Sequence, residues 1–447
     1  MKKFLSLVLA LVMTMSLVTV SAGAKDFTDS GELSGEQYAE AVNVMSEMGI
    51  IDGYAGGDFR PQGTLTRQAA AKIIACMILG KTTAESLGTS AAPFKDVPAG
   101  SSFAGYIAFC VERGLIDGYA DGTFRPTGTL TGFAFLKMLL GALGYDSSIE
   151  GYTGPNWTVN VAGRAYEIGL TAGNDEFVGA QACTREQAAL YAVNTLKTTL
   201  VEYTDRGSEI TVNGAVISTA ASVPTYVTSS VYNQATSINA DRDNSGDYTV
   251  EFAERYQPDL SMDRDTDDFG RPSYTWAWKN RDIGTYVDYS LMVAEYTTGV
   301  SGRELYNVLT ASTIRNADLD VYVDGVEPDE ADTIDKSDLS RSNQDDVGVT
   351  DNGVLTQVFV DTDANDGDGL ITIASINTWL AQATANYSES KEYAPLKVFT
   401  GKGGANTTYN VDVEDVANVA DVADEAFYLV NISYKDSNRG EVVAIQD

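Results

Sequence analysis

The chain has 447 residues, 44% of them hydrophobic, and carries a formal net charge of −33 at pH 7. This length predicts roughly two to four globular domains, and nucleic-acid binding is excluded because phosphate contacts need clustered Lys and Arg. The sequence contains no histidine. Histidine-dependent nucleophiles and His-ligated zinc are therefore excluded, whereas hydrolysis by two carboxylates stays open.

Residues 1–24 are typical of an export signal. Lys2 and Lys3 precede an apolar run over residues 4–20, and Ala22-Gly23-Ala24 forms a small-residue cleavage site. A membrane anchor is the alternative, but the run is at the short limit for a bilayer crossing. We expect secretion, with no membrane attachment after the signal is cleaved.

The next part of the chain contains internal repeats. Residues 49–66 read GIIDGYAGGDFRPQGTLT and residues 114–131 read GLIDGYADGTFRPTGTLT, with a weaker third copy around Gly169 and Thr184. Similarity at a fixed spacing indicates one supersecondary unit repeated in tandem. We place the three units at residues 25–88, 89–148 and 149–204.

Each unit is predicted to form a helix, a glycine-rich loop and a second helix. In the first unit the apolar positions of helix one follow helical spacing, Gly49 ends that helix and Thr66 is a good N-cap for helix two. In the third unit Thr184 and Gln187 have the spacing of a capping box. The apolar face predicted for the first helix consists of Tyr38, Ala41, Val42, Met45 and Met48.

An F-x-D start, a G-[IL]-[IL]-x-G-Y-x-x-G-x-F-x-P loop and a T-R step together resemble the S-layer homology repeat, over about residues 26–203. The resemblance implies a mostly helical pseudo-trimer with grooves at the repeat junctions. Such grooves bind secondary cell-wall polysaccharide, often through a pyruvylated amino sugar. The arginine of the T-R step pairs with the ligand's carboxylate, and the F-x-D aspartate and a first-helix tryptophan help to build the groove.

Carried over residue by residue, the resemblance yields a set of candidate binding residues. Those at the family's site positions are Asp29, Arg67, Asp96, Phe103, Trp157 and Arg185. Arg60 and Arg125, in the F-R-P loops, are either rim contacts or structural loop residues. A guanidinium beside a helix N-cap suits a carboxylate ligand, since its planar donors match the two oxygens.

No repeat matches the family pattern completely. Gln37 and Phe103 stand where the tryptophan is usual in the first two repeats, and Gly132 replaces the arginine in the second. The third has Tyr152-Thr153-Gly154 in place of F-x-D. Because adjacent repeats can share a groove, we predict one or two working grooves rather than three.

Beyond residue 204 the pattern changes to short β-branched and aromatic runs between Gly, Asn and Asp turns. An ITV-NG-AVI segment is a strong hairpin signal, and helices are expected near Leu305 and Ile376. We predict β-rich domains at residues 205–312 and 313–447. Residues 269–286 are similar to a segment of surface-layer proteins from Gram-positive anaerobes. The fold class expected for the whole chain is therefore multidomain, a helical pseudo-trimer followed by β-rich domains.

Three acidic clusters suggest structural calcium, although no cofactor is required by this interpretation. Calcium prefers oxygen ligands, but solvated turns of an acidic protein are the alternative for each cluster. The first cluster comprises Asp241, Asp243 and Asp247; the second comprises Asp361, Asp363, Asn365 and Asp368. The third comprises Asp263, Asp265, Asp267 and Asp268, and neither of the first two completes an EF-hand pattern.

An aromatic strand face and the cysteines are two further features of the sequence. Tyr274, Trp276 and Trp278 alternate along one strand face, which indicates either a packed sheet face or a sugar-binding platform. The three cysteines lie in apolar stretches, so buried free thiols are expected. We expect a non-enzymatic protein of the cell surface that binds the wall by its repeats and self-assembles through its β domains. A wall-anchored glycan hydrolase and an adhesin are the alternatives.

Overall fold

The computed structural model describes residues 27–212, 215–228, 238, 249–328, 333–362, 364, 367–399, 407–413, 416–435 and 439–446. The predicted export signal lies outside this part of the chain. Among the described residues, no helix combines the length and the apolar character that a bilayer crossing requires.

The first part of the structure is helical and contains the three predicted helix–loop–helix units. The first unit comprises α1 (Glu36–Glu47), α2 (Arg67–Leu79) and the short α3 (Lys81–Glu85). The second comprises α4 (Ala104–Glu112) and α5 (Gly132–Leu143), and the third comprises α6 (Trp157–Glu167) and α7 (Arg185–Leu196).

The predicted start and stop signals act at the helix ends. The hydroxyls of Thr66 and Thr131 accept from the backbone N–H three residues ahead, and Thr184 forms the expected capping box with Gln187. Gly49, Gly114 and Gly169 follow the first helix of each repeat and have φ of 67°, 68° and 74°, which glycine adopts without steric cost. Local chemistry therefore fixes where each helix begins and ends.

The three units close into a ring with approximate threefold symmetry. At its centre the backbone N–H of Leu65 donates to Cys183 O (2.8 Å), that of Cys183 to Leu130 O (2.9 Å) and that of Leu130 to Leu65 O (2.9 Å). Around this centre α2 packs on α4, α5 on α6, and α7 on α1. Each junction is thus built by the second helix of one repeat and the first helix of the next.

A small β region follows and packs directly on the ring. It contains three sheets. In the first, β1 (Val201–Glu202) pairs with β4 (Thr225–Tyr226), and the second is the predicted hairpin of β2 (Ser208–Val212) and β3 (Ala215–Thr219). The third is antiparallel and consists of β5 (Leu260–Thr266), β6 (Pro272–Trp278) and β7 (Arg281–Val287). The helix α8 (Phe252–Tyr256) precedes β5. Leu260, Trp276 and Ile283 belong to the same apolar core as the repeats, so this core continues past residue 204.

One polar stripe of α1 joins the ring to the β5–β7 sheet. Glu40 Oε1 accepts a hydrogen bond from Trp276 Nε1 (2.8 Å), and Asn43 Nδ2 donates to the Tyr286 hydroxyl (3.0 Å). Glu36, one turn before Glu40, interacts with Arg271, and Glu47 pairs with Arg281. Residues 36, 40, 43 and 47 have helical spacing, so α1 presents its apolar face to the repeats and its polar face to the sheet.

The remaining strands form an eight-stranded sheet around one long strand, β11 (Leu370–Ala383). The first half of β11 pairs with β10 (Val354–Asp361) and, in parallel, with β9 (Asp318–Val323). Its second half pairs with β12 (Tyr393–Val398) and β14 (Phe427–Ser433). The sheet is completed by β8 (Met292–Tyr296), β13 (Thr407–Asp412) and β15 (Glu441–Gln446).

Three apolar clusters lie along this sheet: one over residues 300–373, one over residues 381–445, and a small one of Phe269, Leu355 and Ile376. The first also contains α9 (Gly302–Leu309), the helix predicted near Leu305, and is flanked by α10 (Ala311–Asn316). The structure thus confirms the expected class, a helical repeat region followed by β-rich parts.

One secondary-structure prediction was wrong. A helix was expected near Ile376, but this residue lies inside β11 and is fully buried there. A short apolar run has no periodicity that separates a buried strand from a buried helix. The pairing of β11 with strands on both sides decides the conformation, since it satisfies the backbone groups of a buried segment.

Candidate functional site

The two F-R-P loops are held by the predicted aspartates. The Asp29 carboxylate accepts from the backbone N–H of Phe59 (2.8 Å) and Arg60 (2.7 Å). Asp96 does the same for Phe124 and Arg125, both at 2.8 Å. Burial raises the pKa of Asp96, but these hydrogen bonds outweigh it and hold the pKa below the usual value. Both aspartates therefore shape the loops instead of pointing a free carboxylate into a groove.

Arg60 and Arg125 occupy equivalent places at the outer surface of these loops. Their φ angles are 60° and 56°, in the left-handed region, and each guanidinium lies about 4 Å above a tyrosine ring. The rings are those of Tyr54 and Tyr119. Each arginine also pairs with a carboxylate of its own loop, and both side chains are exposed.

The arginines of the T-R steps reach across to the neighbouring repeat. Arg67 donates from Nε to Phe124 O (2.8 Å) and from Nη2 to Asp117 O (2.6 Å). Arg185 makes the matching bonds to Phe59 O (2.8 Å) and Asp52 O (2.9 Å). In both, Nη1 has no hydrogen-bond partner among the described residues, so part of each fork is available to a ligand.

We define groove A by Arg67, Asp117, Lys137 and Trp157. These four residues line a cavity of about 340 Å³ between α5 and α6, to which all three repeats contribute. The Lys137 ammonium lies 5.9 Å from the centre of the half-buried Trp157 ring. The sequence predicted that grooves are shared between repeats, and here Arg67 of the first repeat and Trp157 of the third meet in one cavity.

We define groove B as the equivalent set at the next junction around the ring. Arg185 and Lys72 both contact Asp52, and Phe103 directly precedes α4 near the position that Trp157 holds at the start of α6. Lys72 occupies the same place in α2 as Lys137 in α5, six residues after the N-cap threonine. Its ammonium lies 3.1 Å from Asp52 Oδ2, and Lys81 lies 3.4 Å from Asp52 Oδ1. The cationic groups of groove B are thus partly neutralised within the protein.

Groove C, at the third junction, has none of these polar groups. Gly132, Ala172 and Leu190 stand at the positions of the arginine, the aspartate and the lysine, and Gln37 stands at that of the tryptophan. An added Cβ at Gly132 would lie 3.1 Å from the Phe177 ring and 3.2 Å from Gly179 Cα, so a larger side chain there needs the neighbouring loop to move. Of the three grooves, A and B therefore carry the arginine, aspartate and lysine, and groove C does not.

Burial gives both arginines a distinct electrostatic environment. It lowers the pKa of Arg67 and of Arg185 from the usual value, because a charged guanidinium loses hydration there. Burial also raises the pKa of Asp52, but Lys72 and Lys81 outweigh this and hold the pKa below its ordinary value. A guanidinium that has already lost water binds an incoming carboxylate with less further desolvation.

The calcium candidates are only partly within the described residues. Asp241, Asp243, Asp247, Asp363 and Asn365 lie outside them, whereas Asp361 and Asp368 are described. In the described part of the chain, no group of three or more acidic or cysteine side chains is placed to hold a metal ion. Asp267, of the third cluster, instead forms a fully buried pair with Arg271.

Two of the three aromatic side chains on the aromatic face of β6 are packed in the core, and Trp278 is half-buried. Trp276 is fully buried and Tyr274 nearly so, with both polar atoms directed at Glu40. An exposed aromatic patch was the feature that would have favoured an adhesin, and Trp276 does not supply it.

The three cysteines are buried and unpaired, as predicted. Burial raises the pKa of Cys76 to about 11 and those of Cys110 and Cys183 to about 12.

Sequence reasoning missed four polar residues of the grooves. Lys72 and Lys137 share a spacing of six residues from the N-cap threonine, and Asp52 and Asp117 end the GIID and GLID motifs. Both signals were visible in the repeats. Their importance was not, because only the ring brings the aspartate of one loop beside the arginine of another repeat.

Comparisons with known proteins agree with this geometry. A family model described as the S-layer homology domain matches residues 26–71 and 93–136. The chain is 24% identical over 215 residues to the "Surface layer protein" of Brevibacillus choshinensis, covering 48% of this chain and 18% of that protein. It is 37% identical over 82 residues to the "Cellulosome-anchoring protein" of Acetivibrio thermocellus, covering 18% of each.

A third relative is an enzyme by name. The "Endoglucanase" of Bacillus sp. strain KSM-635 is 36% identical over 110 residues, which cover 24% of this chain and 12% of that protein. The first relatives are thus matched over about a fifth of their length. The first two structural repeats coincide with the two family matches, and the third completes the same ring. Residues 26–71 and 93–136 of this chain therefore match the S-layer homology domain, and they form the first two repeats of the ring.

Proposed function

We propose that the protein is secreted and is held noncovalently at the cell surface by an anionic polysaccharide of the wall, which binds grooves A and B. The β-rich part then forms or displays a surface layer. The observation that carries the proposal is the convergence of Arg67, Lys137 and Trp157 in one cavity of a chain with net charge −33. An acidic protein repels a polyanion at long range, so binding needs such local cationic sites.

The chemistry of groove A suits an acidic sugar. The free donors of Arg67 and the ammonium of Lys137 match a carboxylate substituent. The Trp157 ring offers a flat apolar surface to the C–H face of a sugar ring. A pyruvylated sugar, which the family resemblance implies, is one ligand with these properties.

A non-enzymatic role is part of the proposal. Surface-layer names are frequent among the relatives, and the matched part of the endoglucanase is 12% of that protein. A shared wall-binding part accounts for such a match without shared catalysis.

The test is co-sedimentation of the chain from Lys25 onward with purified native walls, before and after chemical removal of the secondary polymer. The full length is used because the core of the repeats continues into β5–β7. We expect binding that is lost on polymer removal and in the double variant Arg67→Ala, Arg185→Ala. The matched control is Arg113→Ala, Arg315→Ala, which removes two exposed arginines outside the grooves.

Both groove arginines also bond to loop carbonyls, so folding must be checked by thermal unfolding. Normal sedimentation of a folded Arg67, Arg185 double variant would refute the proposal. Equal losses in the groove and control variants would show that net charge alone governs binding and would refute it as well.

A further inference from the structure

A second cavity lies where the first repeat meets the β6–β7 hairpin. This junction cavity has a volume of about 460 Å³ and is lined by the ends of α1 and α2, by the α8–β5 link and by the hairpin. The side chains that carry its chemistry are Glu47, Lys81, Thr82, Asp259, Trp278 and Lys279. Its size is within the range of small-molecule sites.

The junction cavity adjoins groove B through a short chain of contacts. Arg185 Nη2 lies 2.9 Å from Asp52 O, and Asp52 Oδ1 lies 3.4 Å from Lys81 Nζ. Lys81 in turn forms part of the cavity wall. Asp52 thus links Arg185 of groove B to the cavity wall at Lys81.

The lining of the junction cavity differs in charge from groove A. Its lining contains two lysines, Lys81 and Lys279, and two carboxylates, Glu47 and Asp259, so these residues offer both donors and acceptors and their formal charges sum to zero. Lys81 also pairs with Asp52, and Glu47 pairs with Arg281. Trp278 is half-buried, and the Lys279 ammonium lies 5.1 Å from the centre of its ring. A flat aromatic face beside mixed polar groups suits a neutral sugar, which has an apolar C–H face and a rim of hydroxyls.

The hairpin turn beside the cavity is held in an uncommon conformation. Its two central residues, Lys279 and Asn280, have φ of 54° and 59°, where glycine is usually found at the second position. The backbone N–H of Lys279 donates to Asp259 O (2.9 Å), which ties the turn to the cavity wall. The surrounding structure thus fixes the backbone of the turn that follows Trp278 before any ligand arrives.

We propose that the junction cavity binds a neutral sugar of the same polysaccharide chain whose acidic sugar binds Arg185 in groove B. The proposal rests on the proposed function and extends it, because it makes the β5–β7 sheet part of the wall anchor. Trp278 stacks on the sugar ring, while Lys81, Lys279 and Asp259 bond to its hydroxyls.

The experiment measures affinity of the chain from Lys25 onward for the purified, soluble wall polymer by titration calorimetry. Trp278→Ala removes the stacking surface, and Thr82→Trp fills the cavity from an exposed position without removing core packing. We expect each to weaken binding by about tenfold, as is typical when one aromatic contact is lost. Phe427→Ala, an exposed aromatic on β14, is the matched control and should bind as the unmodified chain does.

Salt separates the two kinds of subsite. The loss caused by Thr82→Trp should be the same at low and high salt, whereas the loss caused by Arg185→Ala should shrink as salt rises. A Thr82→Trp effect that also shrinks with salt would overturn the assignment to a neutral sugar.

If folded Thr82→Trp protein keeps its affinity while the double variant Arg67→Ala, Arg185→Ala binds weakly, the sugar site in the junction cavity is refuted and the proposed function is not. Unchanged affinity in both would refute the proposed function too.

Discussion

Replacement of Lys137 by methionine, compared with the same replacement at Lys72, tests how each groove uses its lysine. The two residues occupy equivalent helical positions, but their partners differ. The Lys72 ammonium lies 3.1 Å from the Asp52 carboxylate, whereas the Lys137 ammonium lies 5.9 Å from the centre of the Trp157 ring. Because methionine keeps most of the aliphatic length, each change removes the charge and little packing.

The expected magnitude follows from these contacts. A hydrogen bond to a charged group contributes about 1.5–3 kcal/mol, and Lys137 can give all of this to a bound carboxylate. Lys137→Met should therefore weaken polymer binding by about 10- to 100-fold, since about 1.4 kcal/mol corresponds to a factor of ten. Lys72 already shares its charge with Asp52, so Lys72→Met should cost about two- to fivefold.

The assay is calorimetric titration of soluble wall polymer into the chain from Lys25 onward, with Lys391→Met as a control at an exposed lysine of the β-rich part. Thermal unfolding should show that Lys137→Met leaves stability almost unchanged. Polymer binding by Lys137→Met at the level of the Lys391→Met control would refute the reasoning. So would a loss in Lys72→Met as large as that in Lys137→Met, because the pairing with Asp52 would then have no influence.

Three predictions concern stability and the thiols. Burial raises the pKa of Glu40, so the stability of the unmodified protein should fall as pH rises through the folded-state pKa. Glu40→Gln keeps an acceptor for Trp276 and should remove this pH dependence, which urea titrations at a series of pH values would measure. Arg271→Met leaves the carboxylate of Asp267 buried without its partner, and chemical unfolding should show a free energy of unfolding lower by about 3–5 kcal/mol. A decrease below about 0.5 kcal/mol, the size expected for an exposed substitution, would contradict this prediction. A thiol reagent at pH 8 should leave the native protein unlabelled and modify three cysteines in denaturant; rapid native labelling would show that Cys76, Cys110 or Cys183 is accessible.

The repeats show how far local sequence reaches. Threonine N-caps, C-terminal glycines and the apolar faces of the helices are local signals, and the structure confirms them at each repeat. The NG hairpin was predicted for the same reason, and its two strands pair antiparallel, with Val212 opposite Ala215. Local signals were insufficient at Ile376, because the same apolar run suits a buried strand and a buried helix.

The candidate site was predicted in parts. Arg67, Arg185 and Trp157 were identified by motif, and the expected number of grooves followed from Gly132. The motif did not indicate that Asp29 and Asp96 would be committed to loop backbones, nor that Lys137 and Lys72 would differ in charge pairing. Those differences depend on side chains that are far apart in sequence and meet only across repeat junctions.

By itself the sequence determined the repeat unit, the helix ends and the two arginines of the T-R steps, because these depend on neighbours a few positions away. Only the tertiary structure decided which repeats build each groove and that α1 uses both faces. Glu36, Glu40, Asn43 and Glu47 form a polar stripe that a sequence pattern assigns to solvent. In the folded protein this stripe binds the β5–β7 sheet, because Trp276, Tyr286, Arg271 and Arg281 supply its partners from more than 200 residues away.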